Sequence, residues 1–247
     1  MTEQKTGNLT VVLNGYRRPH VLREQYEAIM AQSIKPAEVY FWRNHAPMVE
    51  FDRSILDKCV SFVGNANLGV WARFAFALTA KTKYVCVFDD DTIPGSRWLE
   101  NCYNTIQSHE GLLGTIGVIF NDLNYNNYIR YGWANPNEKI EEVDIVGHSW
   151  FFKREWLGAY WRDCELPIHY LSGEDVHFSF CLQKYLGLKT YVPPHPKNDT
   201  SMWGSQYDSA MSLGVDNVAI SCNFHGSHFG QNLAHYKNKG FKYINNL

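Results

Sequence analysis

The sequence has little net charge, no closely paired cysteines and no long apolar run. Its 23 lysines and arginines almost balance its 25 aspartates and glutamates, so the formal charge of −2 offers no general attraction to nucleic acid or to an anionic membrane. No stretch approaches the roughly 18 consecutive apolar residues that a membrane-spanning helix needs. The six cysteines include no Cys-x-x-Cys pair, which favours buried thiols in a reducing compartment over disulfides or a zinc site.

The chain nevertheless has the size and apolar content of a globular protein. Its 247 residues are 45% hydrophobic, enough to bury a sizeable core, so a disordered or fibrous protein is excluded. The N-terminal residues 1–8 are polar and lack the apolar segment of a secretory signal. We therefore expect a soluble, cytoplasmic protein that has at most peripheral contact with membranes and does not bind nucleic acid.

Aromatic residues are abundant, at 15% of the chain, with 8 tryptophans and 15 tyrosines. Such rings stack well on the flat faces of sugars or bases, and Trp150 and Trp203 are candidates for this role. Packing in the core is the favoured interpretation of both.

The first half of the chain alternates predicted strands and helices. Short apolar, β-branched runs predict strands at residues 9–13, 39–42, 60–63 and 84–88. Apolar residues at helical spacing predict one helix that begins after Pro19 and ends before Lys35, and another over residues 70–80. This alternation predicts a parallel sheet covered on both faces, as in nucleotide-binding folds.

The second half has a less regular pattern. We predict helices over 96–108 and 174–185 and strands over 114–120 and 143–152. The Asn/Tyr-rich residues 121–137 indicate a loop or an antiparallel ribbon, and the tail from residue 193 onward is expected to be rich in loops. Because no repeat, low-complexity tract or linker interrupts the chain, residues 1–247 are predicted to form a single α/β domain.

Three consecutive carboxylates, Asp89, Asp90 and Asp91, follow the fourth predicted strand. Open α/β sheets bind their ligands at the carboxyl ends of the strands. If the chain stays extended there, Asp89 and Asp91 point to one side and suit a hard cation, Mn²⁺ or Mg²⁺, that also binds phosphate oxygens. A solvated turn, or a helix cap by Asp90, is the alternative. The mutual repulsion of three like charges favours the metal.

The motifs, taken in this order, resemble those of GT-A-fold glycosyltransferases with nucleotide-sugar donors, the group that includes family 2 and the exostosin-like transferases. The resemblance spans about residues 9–192. It rests on the first strand and its loop at 11–16, on 65–69 with Arg73, on 87–91 as the DXD motif, and on 173–175. It implies a GT-A-like fold with a mostly parallel nucleotide-binding sheet, in a nucleotide-binding half (1–92), and a mixed C-terminal part, in an acceptor-binding half (93–247).

The implied activity is the metal-dependent transfer of a sugar from a nucleoside diphosphate sugar, with UDP-sugars favoured, to an acceptor hydroxyl of a glycan or glycoconjugate. The implied nucleotide contacts lie in the loops after the strands, and donors at a helix start favour anions. The candidates are Asn14, Tyr16, Arg18, Asn67, Gly69, Arg73, Asp89 and Asp90. The alternatives are a solvated pair, Arg17-Arg18, and an Asx turn at 65–69 that only starts a helix.

The acidic pair Glu174-Asp175 opens the late helix. In inverting family-2 enzymes such a pair supplies the general base, which implies Asp175 as the base and Glu174 as the residue that places the acceptor. A purely structural alternative is a capping box formed by Ser172 and Asp175. If the enzyme retains the anomeric configuration, as exostosin-like enzymes do, no such base is expected.

The third metal ligand is expected to be a late histidine, as the resemblance implies. His225 and His228 are the candidates, with His228 preferred, although a lone histidine is more often a hydrogen-bonded or surface residue. Two other functions remain open. A sugar-1-phosphate nucleotidyltransferase generally starts with a glycine-rich loop, but residues 14–18 hold one glycine. A non-catalytic carbohydrate-binding protein would leave the acidic triplet unexplained.

Overall fold

A computed structural model describes residues 8–163, 172–206 and 227–247, together with residues 208, 212, 213 and 219. In the first half, strands and helices alternate as predicted. The four strands are β1 (Leu9–Gly15), β2 (Glu38–Arg43), β3 (Val60–Val63) and β4 (Tyr84–Phe88). The helices between them are α1 (Leu22–Met30), the single turn α2 (Arg53–Leu56), which was not predicted, and α3 (Ala72–Ala77), which is shorter than predicted.

The second half contains more strands than the sequence predicts. Its elements are α4 (Trp98–Ser108), β5 (Gly111–Phe120), β6 (Tyr128–Gly132), β7 (Glu141–Val143), β8 (Ile145–Lys153), α5 (Leu157–Tyr160), α6 (Glu174–Leu186), β9 (Lys189–Val192) and α7 (Ser227–Asn238). Short 3₁₀ turns lie at Arg154–Trp156 and Thr200–Met202. Strand β6 pairs antiparallel with β5, so the Asn/Tyr-rich stretch is the antiparallel ribbon that was one of its two predicted forms.

All described strands belong to one mixed sheet, with the order β3-β2-β1-β4-β8-β5-β9-β7 and β6 beside β5. The first four strands are mutually parallel, and β8 joins β4 in the antiparallel direction. The predicted α/β fold, with a mostly parallel first part and a mixed second part, is confirmed.

The middle of the sheet lies in a core that is rich in aromatic rings. Strand β4 is completely buried, and the aromatic rings of Phe74, Trp150, Tyr160 and Phe178 pack together under α3 and α6. The rings thus fill the space between the sheet and the helices α3 and α6, which contact β4 and β8.

Two expectations about the tryptophans and the tail are decided by the packing. Trp150 and Trp203 are both buried, so core packing is the correct interpretation of their rings. The tail beyond residue 193 is not only loop, because α7 packs Leu233 and Tyr236 against α6. The helix holds one Gly, two His and two Asn, so its sequence gives a weak helical signal, and burial compensates for it.

Four of the six cysteines lie in the part of the chain that the structure describes. Cys59, Cys86, Cys102 and Cys181 are free thiols, as expected, while the other two cysteines lie outside the described residues. Within the described ranges, no helix combines the length and apolar character that crossing a membrane requires.

Candidate functional site

Polar side chains follow each of the four parallel strands at the same edge of the sheet. Tyr16 and Arg18 follow β1, Asn44 follows β2, Asn67 follows β3 and the acidic triplet follows β4. The carboxyl ends of parallel strands meet at one edge, so these side chains converge there. Asn44 was not singled out from the sequence, because a single Asn after a strand is an ordinary turn signal.

The acidic triplet forms a turn rather than an extended segment. The backbone N–H of Thr92 donates to the carbonyl of Asp89 at 3.3 Å. The buried amide of Gln25 donates to the carbonyls of Asp89 and Thr92 at 2.7 and 2.8 Å, which fixes the turn against α1. The predicted alternation of side chains along an extended chain is therefore wrong, although Asp89 and Asp91 still come together.

Asp89 and Asp91 share their cluster with His148, a residue that the sequence did not suggest. One potential ligand atom from each of the three lies within 4.8 Å of the others. His148 arrives because β8 runs antiparallel to β4, where the N–H of Asp89 donates to the His148 carbonyl at 3.0 Å. The backbone of His148 has a φ of 64°, which is uncommon outside glycine and occurs often at functional sites.

The atoms of this cluster fit a divalent metal ion. His148 Nδ1 is buried and has no hydrogen-bond partner among the described residues, and Asp91 Oδ1 lies 4.0 Å from it. An orphaned imidazole nitrogen beside two carboxylates is a suitable donor set for a divalent cation such as Mn²⁺. His225 and the side chain of His228, the predicted third ligand, lie outside the described residues.

A buried arginine lies on the other side of the turn. Arg18 Nη1 donates to Asp90 Oδ1 at 2.5 Å and lies 3.4 Å from Asp91 Oδ2, while Nη2 donates to the Leu213 carbonyl at 3.0 Å. Burial and the neighbouring carboxylates raise the pKa of both Asp90 and Asp91 above the ordinary range, and Arg18 opposes the increase. Arg18 is thus not a solvated residue, although its contact with a nucleotide stays a prediction.

Arg73 connects the acidic turn to the start of α6. It is 2% exposed, and its Nη1 donates to Asp89 while its Nη2 donates to Glu174 Oε1 at 3.0 Å. Burial lowers the pKa of Arg73, but Asp89 and Glu174 outweigh this effect and raise it, so the guanidinium stays charged. The predicted nucleotide contact of Arg73 is untested, and in this structure both terminal nitrogens bind carboxylates.

The acidic pair at the start of α6 is not a capping box. The N-cap is Gly173, with a φ of 91° and no side-chain cap, and Ser172 Oγ accepts a hydrogen bond from Asn232 at 3.2 Å. Asp175 Oδ1 instead accepts from the N–H of Val176 at 2.7 Å. Burial raises the pKa of Glu174 and of Asp175, and the charge of Asp175 raises that of Glu174 further.

The segment after β3 forms the Asx turn that was one of its two interpretations. Asn67 Oδ1 accepts from the Gly69 N–H at 2.9 Å and from Asn44 Nδ2 at 2.8 Å. Asn67 Nδ2 donates to Tyr16 Oη at 3.3 Å, so two of the predicted nucleotide contacts are neighbours. Gly69 has a φ of 65°, which explains the glycine at this position. Asn14 is half-buried near the end of β1.

Comparison with known proteins supports the fold. No protein-family model and no curated protein matches the chain. Among solved structures, that of S. aureus TarS is similar, with a TM-score of 0.54 and 16% identity over 94% of this chain. The match covers 43% of TarS, so the chain spans less than half of that protein's length. The likeness shows that the chain shares its fold with part of TarS.

Proposed function

We propose that the chain is a metal-dependent glycosyltransferase that moves a sugar from a nucleoside diphosphate sugar to an acceptor hydroxyl of a glycan or glycoconjugate. The observation that carries the proposal is the cluster of Asp89, Asp91 and His148 at the carboxyl edge of the parallel strands. It lies in a glycosyltransferase-like fold, at the edge where such sheets bind ligands. UDP-sugars are the favoured donors.

The charges around the cluster support a cation there. The two buried guanidiniums, of Arg18 and Arg73, face five carboxylates, which belong to Asp89, Asp90, Asp91, Glu174 and Asp175. Glu174 is buried and the other four are half-buried, and such an excess of carboxylates is costly unless protons or a metal ion offset it. Asp89, Asp91 and His148 would hold Mn²⁺ or Mg²⁺. When bound, the ion supplies Lewis-acid stabilisation of the diphosphate leaving group.

The nucleotide side of the site would be formed by the loops after β1 and β3. Tyr16 and Asn67 already contact each other, and the absence of a side chain at Gly69 leaves room for a ligand close to the backbone. Arg18 lies beside Asp90 and Asp91, where it can bind a phosphate oxygen in exchange for part of its contact with the carboxylates. Asn14, near the end of β1, is a further proposed nucleotide contact.

The acceptor side would be formed by the start of α6. A general base must be within reach of the acceptor hydroxyl, and its pKa works best near the operating pH. Asp175 has a raised pKa and is half-buried, whereas Glu174 is buried and engaged by Arg73. Asp175 is therefore the proposed base, and Glu174, held by Arg73, is the residue proposed to place the acceptor.

A donor panel tests the proposal. Nucleoside diphosphate sugars that differ in base and sugar are incubated with the protein and Mn²⁺, and nucleoside diphosphate release is followed with and without glycan acceptors. We expect one donor class to be turned over, and faster with an acceptor. Pyrophosphate release from a nucleoside triphosphate and a sugar 1-phosphate would instead indicate a nucleotidyltransferase. Glycan binding without turnover of any donor would indicate a binding protein.

A further inference from the structure

Arg73 joins two parts of the site that are far apart in the sequence. Its partner Asp89 lies 16 residues away, directly after β4, and its partner Glu174 lies 101 residues away, at the start of α6. The first partner belongs to the metal cluster, and the second precedes the proposed base. One side chain therefore touches both halves of the proposed reaction site.

The guanidinium is held rigidly between these carboxylates. It lies over the ring of Trp150, at 4.6 Å from the centroid, and within 5.4 Å of the Phe74 ring centroid. Trp150 and Phe74 are themselves buried and in edge-to-face contact. A planar guanidinium clamped in this way presents its two terminal nitrogens in fixed directions, which a lysine ammonium cannot do.

We infer that Arg73 is a positioning residue that fixes Asp89 of the metal cluster and Glu174 of the acceptor side relative to each other, with no direct role as a nucleotide contact. The inference rests on the proposed function, because only there is Asp89 a metal ligand. Arg73 would thereby hold the donor and acceptor parts of the site at a fixed distance and orientation.

The direction in which the metal affinity changes separates a positioning role of Arg73 from an effect of its charge alone. Removing the positive charge of Arg73 should by Coulomb's law strengthen the binding of a cation at Asp89. Loss of the hydrogen bond that orients a metal ligand acts in the opposite direction and typically weakens metal affinity by about 10- to 100-fold. A positioning role therefore predicts a weaker metal affinity when the positive charge is removed, whereas an effect of charge alone predicts a stronger one.

The first measurement is the Mn²⁺ dissociation constant, obtained by titration with detection of free Mn²⁺ by electron paramagnetic resonance. Arg73→Lys keeps the charge and loses the fork, and the double variant Arg73→Met/Glu174→Gln removes the buried ion pair with Glu174. We expect affinity to fall about 10-fold or more in both variants. Arg97→Met, which removes an exposed arginine on α4's N-terminal side, is the control and should bind as the wild type does. Unchanged or tighter binding in the Arg73 variants would overturn the inference.

A second comparison leaves Arg73 in place, so it does not depend on the folding of the Arg73 variants. Glu174→Gln and Asp175→Asn each remove one carboxylate charge from neighbouring positions, but only Glu174 is hydrogen-bonded to Arg73. We expect Glu174→Gln to weaken Mn²⁺ binding about threefold or more beyond the effect of Asp175→Asn. Equal effects of the two variants would mean that only charge is sensed, and would contradict the positioning role.

The same titrations distinguish this inference from the proposed function. A wild-type protein that does not bind Mn²⁺ contradicts the proposed metal site, and the inference fails with it. A wild-type protein that binds Mn²⁺, with Arg73 variants that bind equally well, contradicts the inference alone. The proposed function would then stand, with Arg73 as a structural ion pair.

Discussion

His148 Nδ1 lies 4.0 Å from Asp91 Oδ1, across the boundary between β8 and the turn that follows β4. The contact depends on the antiparallel pairing of the two strands, in which Phe88 lies opposite Ser149. A shift of this register by one residue would turn His148 to the other face of the sheet. The candidate metal cluster is thus fixed by strand pairing rather than by the local sequence around the carboxylates.

We predict that His148, rather than His228, supplies the nitrogen ligand to Mn²⁺. Electron spin echo spectroscopy of the Mn²⁺-loaded protein should show coupling to a histidine nitrogen, which His148→Gln abolishes while affinity falls about 10-fold or more. His228→Gln is the matched variant and should keep the coupling. Loss of the coupling in His228→Gln alone would show that the ligand expected from the sequence is the correct one.

Asp175→Asn should lower sugar transfer by about two to four orders of magnitude with donor binding intact, because an amide cannot accept the acceptor proton. Transfer is measured by product formation and donor binding by calorimetry. Glu174→Gln is the companion variant, and we expect a smaller effect on transfer at saturating Mn²⁺. Transfer near the wild-type rate in Asp175→Asn, or a product with retained anomeric configuration, would remove Asp175 as the base.

Buried His177 should make the protein less stable in mild acid. Its Nε2 bonds the Tyr160 carbonyl at 2.8 Å and its Nδ1 the Tyr236 hydroxyl at 2.9 Å, an arrangement that suits the neutral ring. Burial lowers the pKa of His177 from 6.5 to about 4, although the Tyr160 carbonyl opposes the decrease.

Because the folded state resists protonation, the unfolded state binds more protons between pH 6.5 and about 4. The stabilising contribution of His177 is complete above pH 6.5, and about 3 kcal/mol is lost as the pH falls through this window. Urea denaturation at several pH values measures it. His177→Gln should show a flatter dependence than the wild type, and an identical slope in the two proteins would refute the prediction. Burial also lowers the pKa of His195 to about 4. His195 therefore destabilises the wild type and the His177→Gln variant alike over the same pH range.

Gly69→Ala should destabilise the protein by about 1–2 kcal/mol, because the left-handed backbone at φ 65° is unfavourable for a residue with a Cβ atom. Gly158→Ala is a suitable control, since the added Cβ meets nothing within 4 Å there. Thermal denaturation of both variants measures the difference. A Gly69→Ala protein as stable as Gly158→Ala would show that the turn tolerates a side chain.

Much of the fold could be predicted from the sequence because its signals are local. The strands β1 to β4 are apolar runs bounded by turn residues, and α4 has clear helical periodicity. Strand β9 and helix α7 were not predicted. The four residues of β9 are too short for a periodic pattern, and α7 depends on burial of Leu233 and Tyr236 against distant residues.

In the candidate site, too, the residues that could be predicted are those with a local sequence signal. The acidic triplet and the pair Glu174-Asp175 were found because each lies in sequence next to the element that positions it. His148 and Asn44 could not be found in this way, since the pairing of β8 with β4 and the packing of two loops bring them in. The buried ion pair of Arg73 with Glu174 likewise depends on α6 lying beside α3, which no sequence pattern encodes.

The most direct test of the account is the release of nucleoside diphosphate from the preferred donor, measured for the wild type and for Asp91→Asn, each in Mn²⁺ and in EDTA. The account predicts turnover by the wild type in Mn²⁺. In EDTA, and in the variant under either condition, turnover should fall at least about a hundredfold because the leaving group loses its Lewis acid. Equal release in all four reactions would contradict metal-dependent glycosyl transfer.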